Sequence, residues 1–258
     1  MRRAALTLAL AACAPALRAP APIPAAAEPS GRSAEDLLQA ARAEWARRPD
    51  PEALRRAEAL FLAAAEADPA AAEPLLGAIQ VRIRRIDLEP DAAARGALAA
   101  SAVDTGQRCE ARAPGSAICD YALAIALGVQ ARERHATAAR GLPLMVERLR
   151  RAAARDPSVD QGGPERVLAL VLVRAPAWPI GPGDPEGALD AARAAAARYP
   201  DHPLNRLALA ETLAATGEAA AATVEAERAL ALARARAEVG DPDADGWVRE
   251  AELLLGRE

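Results

Sequence analysis

Residues 57–69 read AEALFLAAAEADP, with Ala57, Phe61, Ala64 and Pro69 at offsets 0, 4, 7 and 12. On an α-helix the first three share one face, because residues three and four apart are neighbours there. Two small side chains thus flank a large one, and the proline ends the unit because it cannot continue a helix. The same offsets return at Met145, Leu149, Ala152, Pro157 and at Ala188, Ala192, Ala195, Pro200. Ala94, Leu98, Ser101 and Ala222, Ala226, Ala229 keep the helical part without the proline. Successive copies start 37, 51, 43 and 34 residues apart. Self-similarity on that scale marks stacked helical units.

These offsets are those of the second helix of a tetratricopeptide repeat, and the last interval equals the standard length of about 34 residues. Each copy has a preceding helix to pair with. Ser33 with Asp36 makes a capping box for the first, which runs to about Arg47. Segments 71–86, 117–134, 164–174 and 203–216 supply the others. Within them Leu76-Gly77, Leu127-Gly128, Leu168-Ala169 and Leu209-Ala210 set a large residue beside a small one, which lets a partner helix approach. Segment 243–255 reads as a terminal cap that buries Leu253, Leu254 and Leu255, with Trp247 as anchor. The fold class expected over residues 33–258 is therefore all-α: a right-handed α-solenoid of four to five divergent tetratricopeptide-like helix pairs plus a C-terminal capping helix.

Composition agrees. The 258 residues include 74 alanines, 32 arginines and no lysine, with three Trp, two Tyr and one Phe. Alanine is the best helix former and arginine, leucine and glutamate follow closely. So few aromatic and β-branched runs argue against a sandwich or barrel. A net charge of −4 gives no electrostatic support to nucleic-acid binding. The core must rest on many close, small contacts.

Residues 1–12 read as a lipoprotein signal peptide, Arg2 and Arg3 preceding an apolar stretch too short to span a bilayer. Leu10-Ala11-Ala12-Cys13 resembles the bacterial lipobox, which makes Cys13 the lipidated residue. An Ala/Pro-rich tether follows over 13–32, reaching roughly 50 Å in extended polyproline geometry. Cys109 and Cys119 form an even pair, read as a disulfide in an exported protein. Closing that loop stabilises by roughly 3 kcal/mol in the chain-entropy model. His135 and His202 are isolated, so no metal site and no Ser-His-Asp or Cys-His set is expected. Asp241, Asp243 and Asp245 alternate as in a calcium loop, but Glu252, at the twelfth position from Asp241, falls inside the expected last helix, so no calcium loop is expected. No enzyme activity and no cofactor are expected.

In such repeats the first helix of each pair lines the concave face. Mapped by position, that face carries Ala122, Ile125, Val129 and Arg132, then Arg166, Leu170 and Val173, then Leu204, Leu207, Glu211 and Ala214. An apolar surface of this kind implies a ligand or partner, or else a covering segment. Among the residues expected to bind, Arg166 is the one charge able to pair with a ligand carboxylate. The insertion 175–185, APAWPIGPGDP, holds Trp178 between prolines, either as a binding hot spot at the lip of a cavity or as a plug over helix ends. Asp184 caps the helix that begins at Pro185.

Gly162-Gly163-Pro164-Glu165-Arg166-Val167-Leu168, Ala175-Pro176, Gly183-Asp184-Pro185-Glu186 with Ala188-Leu189, and Pro203-Leu204-Asn205 resemble the T component of tetratricopeptide-associated TRAP transporters (the TatT family). The resemblance runs from about Cys109 to Ala229. It implies a lipid-anchored, periplasm-facing lipoprotein with an apolar pore, assembling as a homotrimer with the periplasmic substrate-binding component of a TRAP transporter and handling a hydrophobic small molecule. The binding residues expected are Ile125, Val129, Arg166, Leu170, Val173, Trp178 and Leu207, with the membrane reached through the lipid on Cys13. The alternative reading is a general tetratricopeptide scaffold lipoprotein in outer-membrane or pilus assembly.

Overall fold

The computed structural model describes residues 31–257. The signal peptide, Cys13 and nearly all of the tether lie outside them. The described chain is helical throughout, with two short 3-10 turns and no named strand. The helices are α1 (Ala34–Trp45), α2 (Pro51–Ala67), α3 (Glu73–Leu88), α4 (Ala92–Arg112), α5 (Ala117–Glu133), α6 (Ala138–Arg155), α7 (Gly163–Arg174), α8 (Pro185–Arg198), α9 (Pro203–Ala215), α10 (Ala219–Glu238) and α11 (Ala244–Leu254). Each packs mainly on its sequence neighbours, so α1 to α10 make five pairs and α11 lies on α9 and α10.

Helix starts follow local chemistry. Ser33 Oγ accepts the Asp36 N–H at 3.1 Å while Asp36 Oδ2 accepts the Ser33 N–H at 3.2 Å, which completes the capping box. Asp184 Oδ1 accepts the Gly187 N–H at 3.0 Å with Pro185 opening α8.

The repeat residues interlock as their spacing implies. Ala57 and Ala64 are fully buried and Phe61 nearly so. The Phe61 ring fills the place of the side chain that Gly77 lacks: a Cβ there would lie 2.6 Å from Phe61 Cε1. Gly128 does the same for Met145, whose Sδ would be 2.9 Å from an added Cβ. The central core built on this packing runs from α3 to α8, with Ile79, Leu127 and Leu149 fully buried.

Two devices add to it. The Cys109 and Cys119 sulfurs are bonded, joining the end of α4 to the start of α5. Beside them the buried Asp120 carboxylate accepts from Arg148 Nη1 at 3.0 Å and from Arg155 Nη1 at 2.9 Å, with Arg151 at 3.3 Å, clipping α5 to α6.

The terminal cap differs from its expected form. Trp247, Val248 and Leu255 pack with Leu204, Leu207 and Leu230, but Leu253 is 69% exposed and Leu254 is exposed too. Leu253-Leu254-Leu255 is therefore not buried as a block. Successive helical residues point in different directions, and α11 has neighbours on one side only.

The two ends of the solenoid meet. Arg48, between α1 and α2, donates from Nε to Asp243 Oδ1 and Oδ2 at 3.1 and 3.0 Å, and from Nη2 to Oδ2 at 2.7 Å. The pair spans 195 residues of sequence and lies just before α11. Arg48 is held by its Nη1 bond to the Trp45 carbonyl at 3.0 Å and stacks over the Trp45 ring at 4.2 Å. Among the described residues, none of the hydrophobic clusters joins the two ends. Removing one partner of a largely desolvated pair strands the other charge. Asp243→Ala is accordingly expected to cost about 2 kcal/mol in denaturant unfolding. It should also enlarge the radius of gyration in small-angle scattering without loss of helix. Superimposable scattering curves would show that the ends close by other means.

Candidate functional site

A cleft of about 420 Å³ opens where α5, α6 and α7 converge. Ligand sites commonly measure about 300–1,000 Å³. Its wall is mainly apolar: Gly128 and Ala131 from α5, Ala138, Leu142 and Met145 from α6, Val167, Leu170 and Val171 from α7, then Ala175 and Pro176. Arg132 and Arg174 complete it. α6 and α7, which flank the cleft, pack on each other less extensively than α5 and α6 do. Between them the chain takes three successive left-handed residues, Asp160 (φ 50°), Gln161 (φ 51°) and Gly162 (φ 85°), which redirect α7.

Both cleft arginines already hold carboxylates. Arg132 donates from Nη2 to Asp87 at 2.9 Å and from Nε to Glu133 at 2.9 Å. Arg174 forms a fork with Glu211, Nε–Oε1 2.6 Å and Nη2–Oε2 2.5 Å, which raises the guanidinium pKa further. The fork engages two of the five guanidinium N–H groups. Nearby Glu250 is pushed up by burial, an effect that Arg174 opposes and Glu211 reinforces.

Of the residues expected to bind, Leu170 lines this cleft. Ile125 lies buried in the central core, Val173 packs on the edge of that core, and Val129 is half-buried outside the cleft wall. Leu207 is 2% exposed beneath α11. The concave face is thus covered at α9 and open at α5 to α7. Trp178 is 86% exposed, which excludes the plug.

Arg166 requires the largest correction. It is 5% exposed and its donors are taken: Nη2 bonds Asp160 Oδ2 at 2.7 Å and Nη1 bonds Asn205 Oδ1 at 2.9 Å. The Tyr121 hydroxyl donates to the same Asp160 oxygen at 2.6 Å, and burial, then the Asp160 charge, hold its pKa well above the ordinary value. Asn205 Nδ2 donates to the carbonyls of Gln161, Ala195 and Tyr199. Arg166 therefore pins α5, α7, α8 and α9 around the left-handed turn and is unavailable to a ligand. The clue in sequence is Asp160, six residues before it.

His202 borders this network, half-buried, its ring 6.1 Å from that of Trp247. Burial, then the Arg166 charge, lower its pKa from 6.5 to about 4.

Of the cleft residues, sequence reasoning missed Leu142, Met145, Val167 and Arg174. Met145 was visible as a repeat position, but repeat spacing names a face and not the gap beside it.

No protein-family model matches the chain and no curated protein matches it in sequence. Solved structures do. A thermophilic tetratricopeptide-repeat protein of Thermus thermophilus superposes with a TM-score of 0.59 at 21% identity, over 86% of this chain and 100% of that one. The MamA protein matches at TM-score 0.46 and 16% identity, over 81% of this chain and 97% of that one. With the paired helices above, the first of these shows the fold: a tetratricopeptide-like α-solenoid.

Two outcomes check the buried network. Arg166→Ala strands Asp160 and Asn205 and is expected to cost about 3 kcal/mol in urea unfolding. A cost near zero would return Arg166 to the list of surface groups. For His202 the unfolded chain binds its proton near pH 6.5 and the folded chain only near 4. Stability therefore falls as pH drops through that window. The melting temperature of the wild type should decline there relative to His202→Gln, whereas parallel profiles would contradict the assignment.

Proposed function

We propose that the chain is a non-catalytic, periplasm-facing lipoprotein that binds a protein partner and takes an apolar carboxylate into the cleft between α5, α6 and α7. The observation that carries the ligand reading is the cleft itself: an apolar wall with Arg132 and Arg174 in it. An acyl or aryl body would displace water from Leu142, Met145 and Leu170, while the head group shares an arginine fork. The Cys109–Cys119 bond supports an oxidising compartment, in keeping with export through the Cys13 lipobox. The partner proposed is the substrate-binding component of a TRAP transporter, on the strength of the resemblance over Cys109 to Ala229. A homotrimer is proposed on the same ground.

One observation favours the scaffold alternative. Val239, Leu253 and Leu254 expose apolar side chains at the C-terminal end, as a surface for protein contact alone would.

Native mass spectrometry of protein purified from cells tests the reading. The expected spectrum carries a small apolar acid, and Ala138→Trp, which fills the cleft, removes it while leaving the circular dichroism unchanged. Ligand-free protein with no affinity for a TRAP substrate-binding component would overturn the transporter reading and leave the scaffold.

A further inference from the structure

The loop between α7 and α8 displays apolar side chains that the proposed ligand site does not use. Trp178 is 86% exposed and Ile180 80%, with Pro179 exposed between them. Residues 175–183 contain no charged side chain. Exposure here is not slackness. The Ile180 and Gly181 N–H groups donate to the Ala177 carbonyl at 3.1 and 3.2 Å, Gly183 N–H to Pro176 at 2.8 Å, and Asp184 N–H to Leu172 at 3.0 Å. Gly183 sits so close to the turn that a Cβ would lie 2.3 Å from the Ala175 carbonyl oxygen. The fold therefore holds an indole and a branched aliphatic chain out in water on a pinned loop.

We propose that the Trp178–Ile180 tip is a membrane-contact loop that brings the mouth of the cleft onto a phospholipid surface. Trp favours the bilayer interface, where its ring is buried and its N–H stays wet. An uncharged tip enters that region without the cost of desolvating a charge. Between Arg174 and Asp184, which flank it, the only polar side-chain group of the tip is the Trp178 N–H. Ala175 and Pro176 belong both to the loop and to the cleft wall, so contact at the tip sets the cleft beside the acyl region. The proposal rests on the lipoprotein reading of residues 1–32 for its setting. On that reading the lipid on Cys13 keeps the domain near the bilayer, so a weak contact by two side chains suffices.

The test is flotation of the full chain carrying Cys13→Ser, which blocks lipidation, with vesicles of phosphatidylethanolamine and phosphatidylglycerol. The comparison is the same chain with Trp178→Ser and Ile180→Ser. Both chains keep the apolar leader, so any difference reads the loop alone. The expected result is vesicle binding weakened at least about tenfold in the double variant. Its melting temperature should not change, since both side chains are exposed. Lipids brominated on the acyl chain should quench tryptophan fluorescence in the parent and much less in the variant. Equal binding by the two chains, or no binding by either, overturns the proposal. So does self-association without vesicles that the double variant abolishes, because a second copy is then the occupant. Lipidation is read separately by the mass of the mature protein, so failure of the anchor and failure of the loop remain distinguishable.

Discussion

Close approach of helices is the constraint on which this structure depends, and it comes from missing side-chain volume. The Phe61 ring can lie against α3 only because Gly77 has no Cβ, and Met145 against α5 only because Gly128 has none. Alanines at 57, 64, 152, 192 and 195 are fully buried in the same role. Small residues bury little area each, so stability must be gathered from many contacts at short range. The left-handed run at Asp160 to Gly162 redirects α7, and a cleft of about 420 Å³ lies where α7 meets α5 and α6.

Arginine supplies what the small core does not. Every cationic side chain of the lysine/arginine type is arginine, whose planar fork suits carboxylates held at fixed angles. Asp120 is gripped by three arginines, Asp160 by Arg166, and Asp243 by Arg48 across the ends of the solenoid. These partners fix helix positions. The arginines in the cleft are paired as well, so the proposed ligand would exchange one carboxylate for another or use the N–H groups left over.

Much of the fold was legible in the sequence because it is written locally. The 0, 4, 7, 12 offsets place α2, α6 and α8, the Ser33 box and Asp184 mark helix starts, and the closely spaced Cys109 and Cys119 are joined. The site was legible only in part. Position counting puts Leu170 and Leu207 on equivalent faces, yet α11 covers Leu207 while Leu170 faces the cleft. Arg166 reads as a lone charge on an apolar face until the turn brings Asp160 and Asn205 to it. The closure by Arg48 and Asp243 has no local signal, since each residue alone looks like an ordinary surface charge.

The proposed function requires the cleft between α5, α6 and α7 to bind an apolar carboxylate. The most direct measurement is a crystal structure grown with a medium-chain fatty acid tagged by bromine at its terminal carbon. The account predicts anomalous bromine density among Leu142, Met145 and Leu170, with the carboxylate at Arg174 or Arg132. Bromine density at the exposed C-terminal leucines, or none at all, would contradict it.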